Sequence, residues 1–152
     1  MLTPTSSARA LLLLSALALV SCSREVELPP VHAFEPRDVS MIQLIANPTE
    51  HHGKVVRVIG FLRLEFEGNA LYPHRDDFEH NIHKSSVWLS LGWPVPEKYR
   101  EASDDYVLVQ GTFDADDHGH RGSSSGALKD ITRIERWPSR TEFERAQRLN
   151  KR

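Results

Sequence analysis

The sequence is poor in cysteine and has no excess of charge of either sign. Cys22 is the single cysteine among 152 residues, so the disulfides on which many secreted domains depend cannot form within the chain. The 19 basic and 21 acidic residues leave a net charge of −2. Proteins that bind nucleic acid carry clustered positive charge. The composition therefore predicts neither a disulfide-stabilised scaffold nor a nucleic-acid partner.

Long apolar runs are also lacking. The longest extends from Ala10 to Val20, interrupted only by Ser15, and is too short for a hydrocarbon core, which needs roughly 20 apolar residues to span. It follows Arg9, the only charged side chain before Arg24. A positive n-region before a short apolar h-region is typical of a secretory signal. We therefore predict that residues 1–21 are a signal peptide.

The end of the signal and the residue after it form the sequence Leu19-Val20-Ser21-Cys22, which resembles the lipobox of bacterial lipoproteins. In that family the cysteine thiol receives a diacylglycerol, the signal is cut just before it, and the new amino group is acylated. The resemblance implies lipidation of Cys22, with each buried methylene contributing about 0.8 kcal/mol to the anchor. Ser23 stands where an aspartate commonly retains lipoproteins in the inner membrane, so an outer-membrane protein facing the periplasm is implied. Residues 22–36 are expected to be a proline-containing tether.

Apolar residues at every second position predict a β domain over residues 37–138. The strongest pattern places Val56, Val58, Leu62, Leu64 and Phe66 on one face of a strand from Lys54 onward, with a bend at Gly60. Further strands are expected at 70–72, 86–91, 106–113 and 127–137, the last with a bulge near Asp130.

Short helices are predicted between these strands. We expect one from Val39 to Ala46, ended by Asn47-Pro48 and followed by a turn at His51-His52-Gly53. Others are expected within His74–Lys84 and at Glu97–Ala102. Residues 139–152 are predicted to form a C-terminal helix that begins with a capping box at Ser139 and Glu142 and carries an apolar stripe of Phe143, Ala146 and Leu149.

Two of the strands resemble those of OB-type barrels. "GKVVRVIGF" and "YVLVQGTF" look like the first and fourth strands, in which a glycine lets a long strand coil and serve both sheets. The expected fold is therefore mainly β with short helices, as a five-stranded OB-like Greek-key barrel; a different five-stranded meander is the alternative. Val39 to Trp137 also resembles small proteobacterial lipoproteins, through "SMIQLIANP", "HHGKVVRVIGFLRLEFEGNALY" and "GTFDADDHGHRG". That group has no established activity, so the resemblance implies a fold and a cellular location but no reaction.

A first group of histidines and aspartates falls within ten residues. If Asp76 to Lys84 is helical, then Asp76, His80 and His83 share one face. Imidazole and carboxylate ligands suit zinc or copper, so His74, Asp76, His80 and His83 are candidate metal ligands. The group matches no recognised ligand spacing, and a solvated polar loop is the alternative.

A second polar group lies in the loop from Asp114 to Gly126. In an OB-type barrel, the loop after the first strand and the loop before the fifth flank the binding face. Asp116, His118 and His120 are therefore candidate ligand-binding residues, and the two polar groups are expected to meet there. A long surface connection without a binding role is the alternative.

The sequence has no recognisable catalytic constellation. Its only cysteine is assigned to lipid, and it contains no G-x-S-x-G, Walker or H-E-x-x-H motif. We therefore expect not an enzyme but a membrane-anchored envelope lipoprotein that binds a protein or small-ligand partner. The alternative is a metal-binding or metal-responsive envelope protein, with a divalent metal such as zinc as the only cofactor. A third hypothesis rests on the C-terminal region, which is locally positive and could contact anionic lipid or pack on the domain itself.

Overall fold

The structure is a computed structural model that describes residues 35–66 and 68–151. Cys22 and the predicted signal peptide lie outside the described residues, as does most of the predicted tether. The strands and helices occur in the order β1 Arg37–Asp38, α1 Met41–Ala46, α2 Pro48–His51, β2 Val55–Arg63, β3 Ala70–Tyr72, α3 Arg75–Glu79, β4 Val87–Leu89, α4 Glu97–Arg100, β5 Tyr106–Asp114, β6 Ala127–Arg136 and α5 Arg140–Leu149.

Five of the strands close into a barrel. β2 pairs with both β3 and β5, β3 pairs with β4, β4 with β6, and β6 with β5. Only the β4–β6 pair within the barrel is parallel. The expectation of a mainly β, OB-like five-stranded barrel is thus confirmed. The short strand β1 extends the sheet by pairing in parallel with β2. Its two residues are both charged and exposed, so no alternation of apolar and polar residues predicts it.

The core fills the barrel and extends under α1. Along β5 every second residue is buried, including Val107, Val109 and Phe113, as the period-two pattern predicts. Helix α1 adds Met41 and Leu44 to the same core. It begins at a capping box in which Ser40 and Gln43 exchange hydrogen bonds, which satisfies backbone N–H groups that a helix start leaves without partners.

Gly60 lets β2 pair with two neighbours at once. A Cβ atom at this position would lie 2.7 Å from the carbonyl oxygen of Tyr72, so a side chain there would push β3 away. Beyond Gly60 the strand is buried on both faces at Phe61 and Leu62, while the predicted bend at Gly60 stays a prediction. The inward position expected for Phe66 is wrong. β2 ends at Arg63 and the Phe66 side chain is 83% exposed.

The bulge expected in β6 is present. The register with β5 shifts between Thr112, which faces Lys129, and Gln110, which faces Arg133. Asp130 lies in the intervening segment with φ of +47°, a backbone conformation that aspartate tolerates better than most residues.

Two short helices, α2 and α3, lie in the connections that flank β2 and β3. Residues 48–51 form α2, which was not predicted; Pro48 occupies its first helical position, which tolerates proline, and His51 is buried. The predicted turn follows the helix at His52 and Gly53. Helix α3 ends at Glu79, and Asn81 has φ of +57°. The short helix expected within His74–Lys84 is thus present, but it does not continue to Lys84, so His80 and His83 do not share a continuous helical face.

Helix α5 lies outside the core. Its predicted capping box is confirmed, since Ser139 and Glu142 exchange hydrogen bonds. Every residue of the helix is exposed, with Phe143 at 55% and Leu149 at 67%. The Arg136 guanidinium lies 3.1 Å from the Glu142 carboxylate at the start of the helix. The apolar stripe therefore does not pack on the described part of the domain.

Candidate functional site

A cleft of about 480 Å³ opens over β3 and β4. Strands β3 and β4 form its floor. Its walls are the turn after β2, the helical insertion between β3 and β4, and the loop between β5 and β6. The residues that line it are Glu65, Phe66, Gly68, Ala70, Tyr72, Phe78, Asn81, His83, Ser86, Trp88, His118, Arg121, Ser123 and Ser124. This is the face of an OB-type barrel that the loops after the first strand and before the fifth flank.

The helical insertion is fixed to the barrel by aromatic contacts. The Phe78 ring centre lies 5.7 Å from that of Tyr72 and 6.2 Å from that of Phe61. These contacts place α3 and the following turn at one side of the cleft. His83 follows α3 in this turn, and its Nδ1 is 3.0 Å from the Tyr72 hydroxyl. Burial raises the pKa of Tyr72, and the nearby charge of Glu65 raises it further, so the phenol keeps its proton and can donate to His83.

A continuous set of hydrogen bonds joins the two polar groups across the cleft. The Ser86 hydroxyl donates to the His83 carbonyl at 2.7 Å and lies 3.0 Å from the Ser124 hydroxyl. His118 Nδ1 is 2.9 Å from the Ser124 carbonyl. A carbonyl oxygen only accepts, so Nδ1 of His118 is the donor. In the neutral tautomer with this bond, Nε2 is the acceptor.

Gly119 seats the loop between β5 and β6 against the floor. Its φ is +73°, and a Cβ there would lie 2.7 to 2.8 Å from the Cδ2, Cε3 and Cγ atoms of Trp88. Its N–H also donates a hydrogen bond to the Asp117 carboxylate at 2.9 Å. Only glycine accommodates both the backbone conformation and the contact. The position of this loop, and hence the cleft, depends on that residue.

Lys129 fixes the start of the same loop. Its ammonium lies 2.8 Å from the Asp114 carboxylate and 3.0 Å from that of Asp117. The Lys129 hydrogen bond, with a further one from the Asp116 N–H, holds the pKa of Asp114 at about 2. The two carboxylates raise the pKa of Lys129 to about 12. The three groups are therefore charged across the physiological range.

The candidate residues from the sequence lie in different places. His83 and His118 line the cleft, so one histidine of each polar group reaches it. Asp116 and His120 are exposed and lie outside the cleft lining. The remaining candidates belong to α3 and its ends: the His74 N–H donates to Asp77 at 3.1 Å, and His80 Nδ1 donates to the Asp76 carbonyl at 2.9 Å.

The described residues form a three-member His/Asp group at another position. Potential ligand atoms of His52, Asp114 and Asp116 lie within 4.8 Å of one another. Two contacts occupy them. Asp114 is paired with the Lys129 ammonium, and His52 Nδ1 accepts from the Ala115 N–H at 3.2 Å, which leaves the proton of a neutral imidazole on Nε2. A metal ion would compete with both contacts.

Several cleft residues carried no signal in the sequence. Ser86 and Ser124 are buried, but serines in polar segments are too common to identify. Tyr72 was recognisable as an aromatic residue of a strand, although its pairing with His83 depends on where the insertion folds. Arg121 and Glu65 reach the cleft through loop geometry that period-two alternation does not predict.

Among the residues that the structure describes, no helix has the length and apolar character required to cross a membrane. No known protein family has a model that matches the chain, and no curated protein is similar to it in sequence.

Proposed function

We propose that this protein is a lipid-anchored envelope lipoprotein whose barrel binds a small polar ligand in the cleft over β3 and β4. The observation that carries the proposal is the cleft itself, where the two polar groups meet around His83 and His118. Its volume of about 480 Å³ falls within the roughly 300–1,000 Å³ of small-molecule sites. A protein partner that inserts a side chain there is the competing form of the same proposal.

The chemistry of the lining favours a ligand with several hydrogen-bonding groups. His118 offers an acceptor at Nε2, and Tyr72 and Ser86 place hydroxyl groups at the floor. Apolar surface comes from Phe78 and Trp88. Small-molecule sites combine such apolar walls with a few placed polar groups. We propose a binding role and no catalytic step.

The ligand proposal is tested by thermal unfolding of the mature chain against a panel of small polar compounds. A ligand at one hundred times its Kd stabilises the folded state by about 2.7 kcal/mol, a rise in Tm of roughly 10 °C for a domain of this size. The rise should persist in His120→Ala, which lies outside the cleft, and be lost in His118→Ala. An equal rise in both variants would place the ligand elsewhere.

The competing protein partner is separated by photo-crosslinking in intact cells. A crosslinking residue at position 83 should capture a specific envelope protein only if a protein occupies the cleft, whereas the same residue at position 42, on α1, should not. Capture at position 83 together with an empty compound screen would replace the small ligand with a protein.

The proposed location in the cell envelope rests on the lipobox resemblance and is tested separately. Mass spectrometry of the protein from its native host should find an N-terminal diacylglyceryl-modified Cys22 with residues 1–21 removed. An intact, unacylated N-terminus would refute the envelope location but leave the proposal of ligand binding in the cleft unaffected.

The metal-responsive alternative is supported by the His52, Asp114 and Asp116 group more than by the residues chosen from the sequence. It predicts zinc binding tighter than the millimolar range by titration at neutral pH. Loss of that binding in His80→Ala/His83→Ala would restore the sequence-based ligands, and loss in His52→Ala would favour the other group. The occupied donor atoms of His52 and Asp114 make us rank this alternative second.

A further inference from the structure

Helix α5 has an apolar stripe that the described part of the domain leaves uncovered. Phe143, Ala146 and Leu149 recur at three-residue spacing along a helix of 10 residues, so they lie along one side. Phe143 and Leu149 are more than half exposed. An amphipathic helix of this kind is stabilised by covering its apolar side.

The charge of this region points to an anionic surface. Residues 139–152 contain five basic and two acidic residues, a net charge of 5 − 2 = +3 in a chain of net charge −2. Glu144 lies 2.9 Å from Arg140 and 3.9 Å from Arg148, so basic groups neutralise it. Basic residues beside a stripe containing Phe and Leu are typical of helices that lie in a membrane interface.

A second copy of the chain fits this surface less well. Burying a phenylalanine removes roughly 200 Å² from water, so this short stripe, even when doubled, falls below the about 1,200 Å² of a stable interface. Two copies would also bring together segments that each carry net positive charge.

We propose that α5 is a second membrane contact, which lies in the interface of a bilayer containing anionic lipid. In the native protein, the approach of α5 to the bilayer rests on the proposed lipid anchor at Cys22. From Cys22 to Glu35 there are 35 − 22 = 13 residue steps, which reach about 45 Å when extended. That length exceeds the diameter of a domain with a radius of gyration of about 13 Å. The anchor therefore allows any face of the barrel to approach the bilayer, and α5 selects which face does so.

The experiment uses residues 22–152 with Cys22→Ser, so that neither the signal nor an acyl chain contributes to binding. Sedimentation with vesicles of phosphatidylethanolamine and phosphatidylglycerol should capture the protein, and pure phosphatidylcholine should capture it weakly. Phe143→Ser should lower the partition coefficient about tenfold or more, and Arg145→Gln about fivefold. The matched control Ile42→Ser removes an exposed apolar residue of α1, which is 70% exposed, and should bind as the parent does.

Three results would overturn the proposal. The first is binding to anionic vesicles no stronger than to neutral ones. The second is an equal loss in Ile42→Ser and Phe143→Ser. The third is a concentration-dependent dimer in analytical ultracentrifugation that Phe143→Ser abolishes, which would assign the stripe to a second copy. Because Cys22 is absent from this protein, none of these results depends on whether the native chain is acylated or on what the cleft binds.

Discussion

Gly119 and Gly122 provide a matched pair for testing how the cleft is held together. Both have positive φ, +73° and +63°, so alanine at either position incurs the same cost of a left-handed backbone, about 1–2 kcal/mol. They differ in one respect. A Cβ at Gly119 would meet the Trp88 ring at 2.7 to 2.8 Å, whereas a Cβ at Gly122 would have no neighbour within 4 Å.

The expected difference follows from that contact. Since one of the Trp88 atoms is Cγ, next to the backbone of β4, the ring cannot move away by turning only its far end. Forcing an extra methyl into a packed site costs about 1–3 kcal/mol. We therefore expect Gly122→Ala to lower the free energy of unfolding by about 1–2 kcal/mol and Gly119→Ala by about 2–5 kcal/mol.

Urea unfolding followed by tryptophan fluorescence measures both values. Gly119→Ala should also shift the emission of Trp88, which the loop no longer covers, and weaken cleft binding, whereas Gly122→Ala should leave both unchanged. Equal losses of stability, within about 0.5 kcal/mol, would refute the conclusion that Gly119 seats the loop on Trp88.

Three further outcomes are expected. Gly60→Ala places a Cβ 2.7 Å from the Tyr72 carbonyl oxygen, which is backbone and cannot move freely, so urea unfolding should show a loss of about 1–3 kcal/mol; an unchanged stability would contradict the close approach of β3 to Gly60. Lys129→Met removes the partner that lowers the pKa of Asp114 from its ordinary 3.8 to about 2. Because the folded pKa is depressed, this carboxylate stabilises the fold above about pH 4 and loses its effect as the pH falls through 2. Stability measured between pH 5 and pH 2 should therefore fall less steeply in the variant, and an unchanged slope would rule out this ion pair as a source of acid sensitivity. Ser139→Ala removes the cap of α5, worth about 1 kcal/mol, and should reduce the helical circular dichroism without moving the midpoint of barrel unfolding; a lower midpoint would mean that α5 packs on the barrel.

The barrel could be predicted because its signals are local. Strand β5 is buried on one face, so its apolar residues alternate along the sequence. In the neighbouring strands, Gly60 of β2 and Asp130 of β6 mark the irregular positions. The capping box at Ser139 spans only three residues, so the sequence shows it directly. Phe66 shows the limit of this reasoning: its parity matches the strand, but the strand ends three residues earlier.

By itself, the sequence determined the period-two strands, the helix starts, the lone cysteine after an apolar run, and the presence of two His/Asp groups. Only the tertiary structure decided that His83 and His118 reach one cleft while His80 and His120 do not. The reason is that β3 and β4 are three residues long, the insertion between them turns at the positive-φ residue Asn81, and the loop between β5 and β6 turns at Gly119 and Gly122. Which side chain faces the cleft is set by those backbone angles and by contacts with distant strands, and neither leaves a repeat in the sequence.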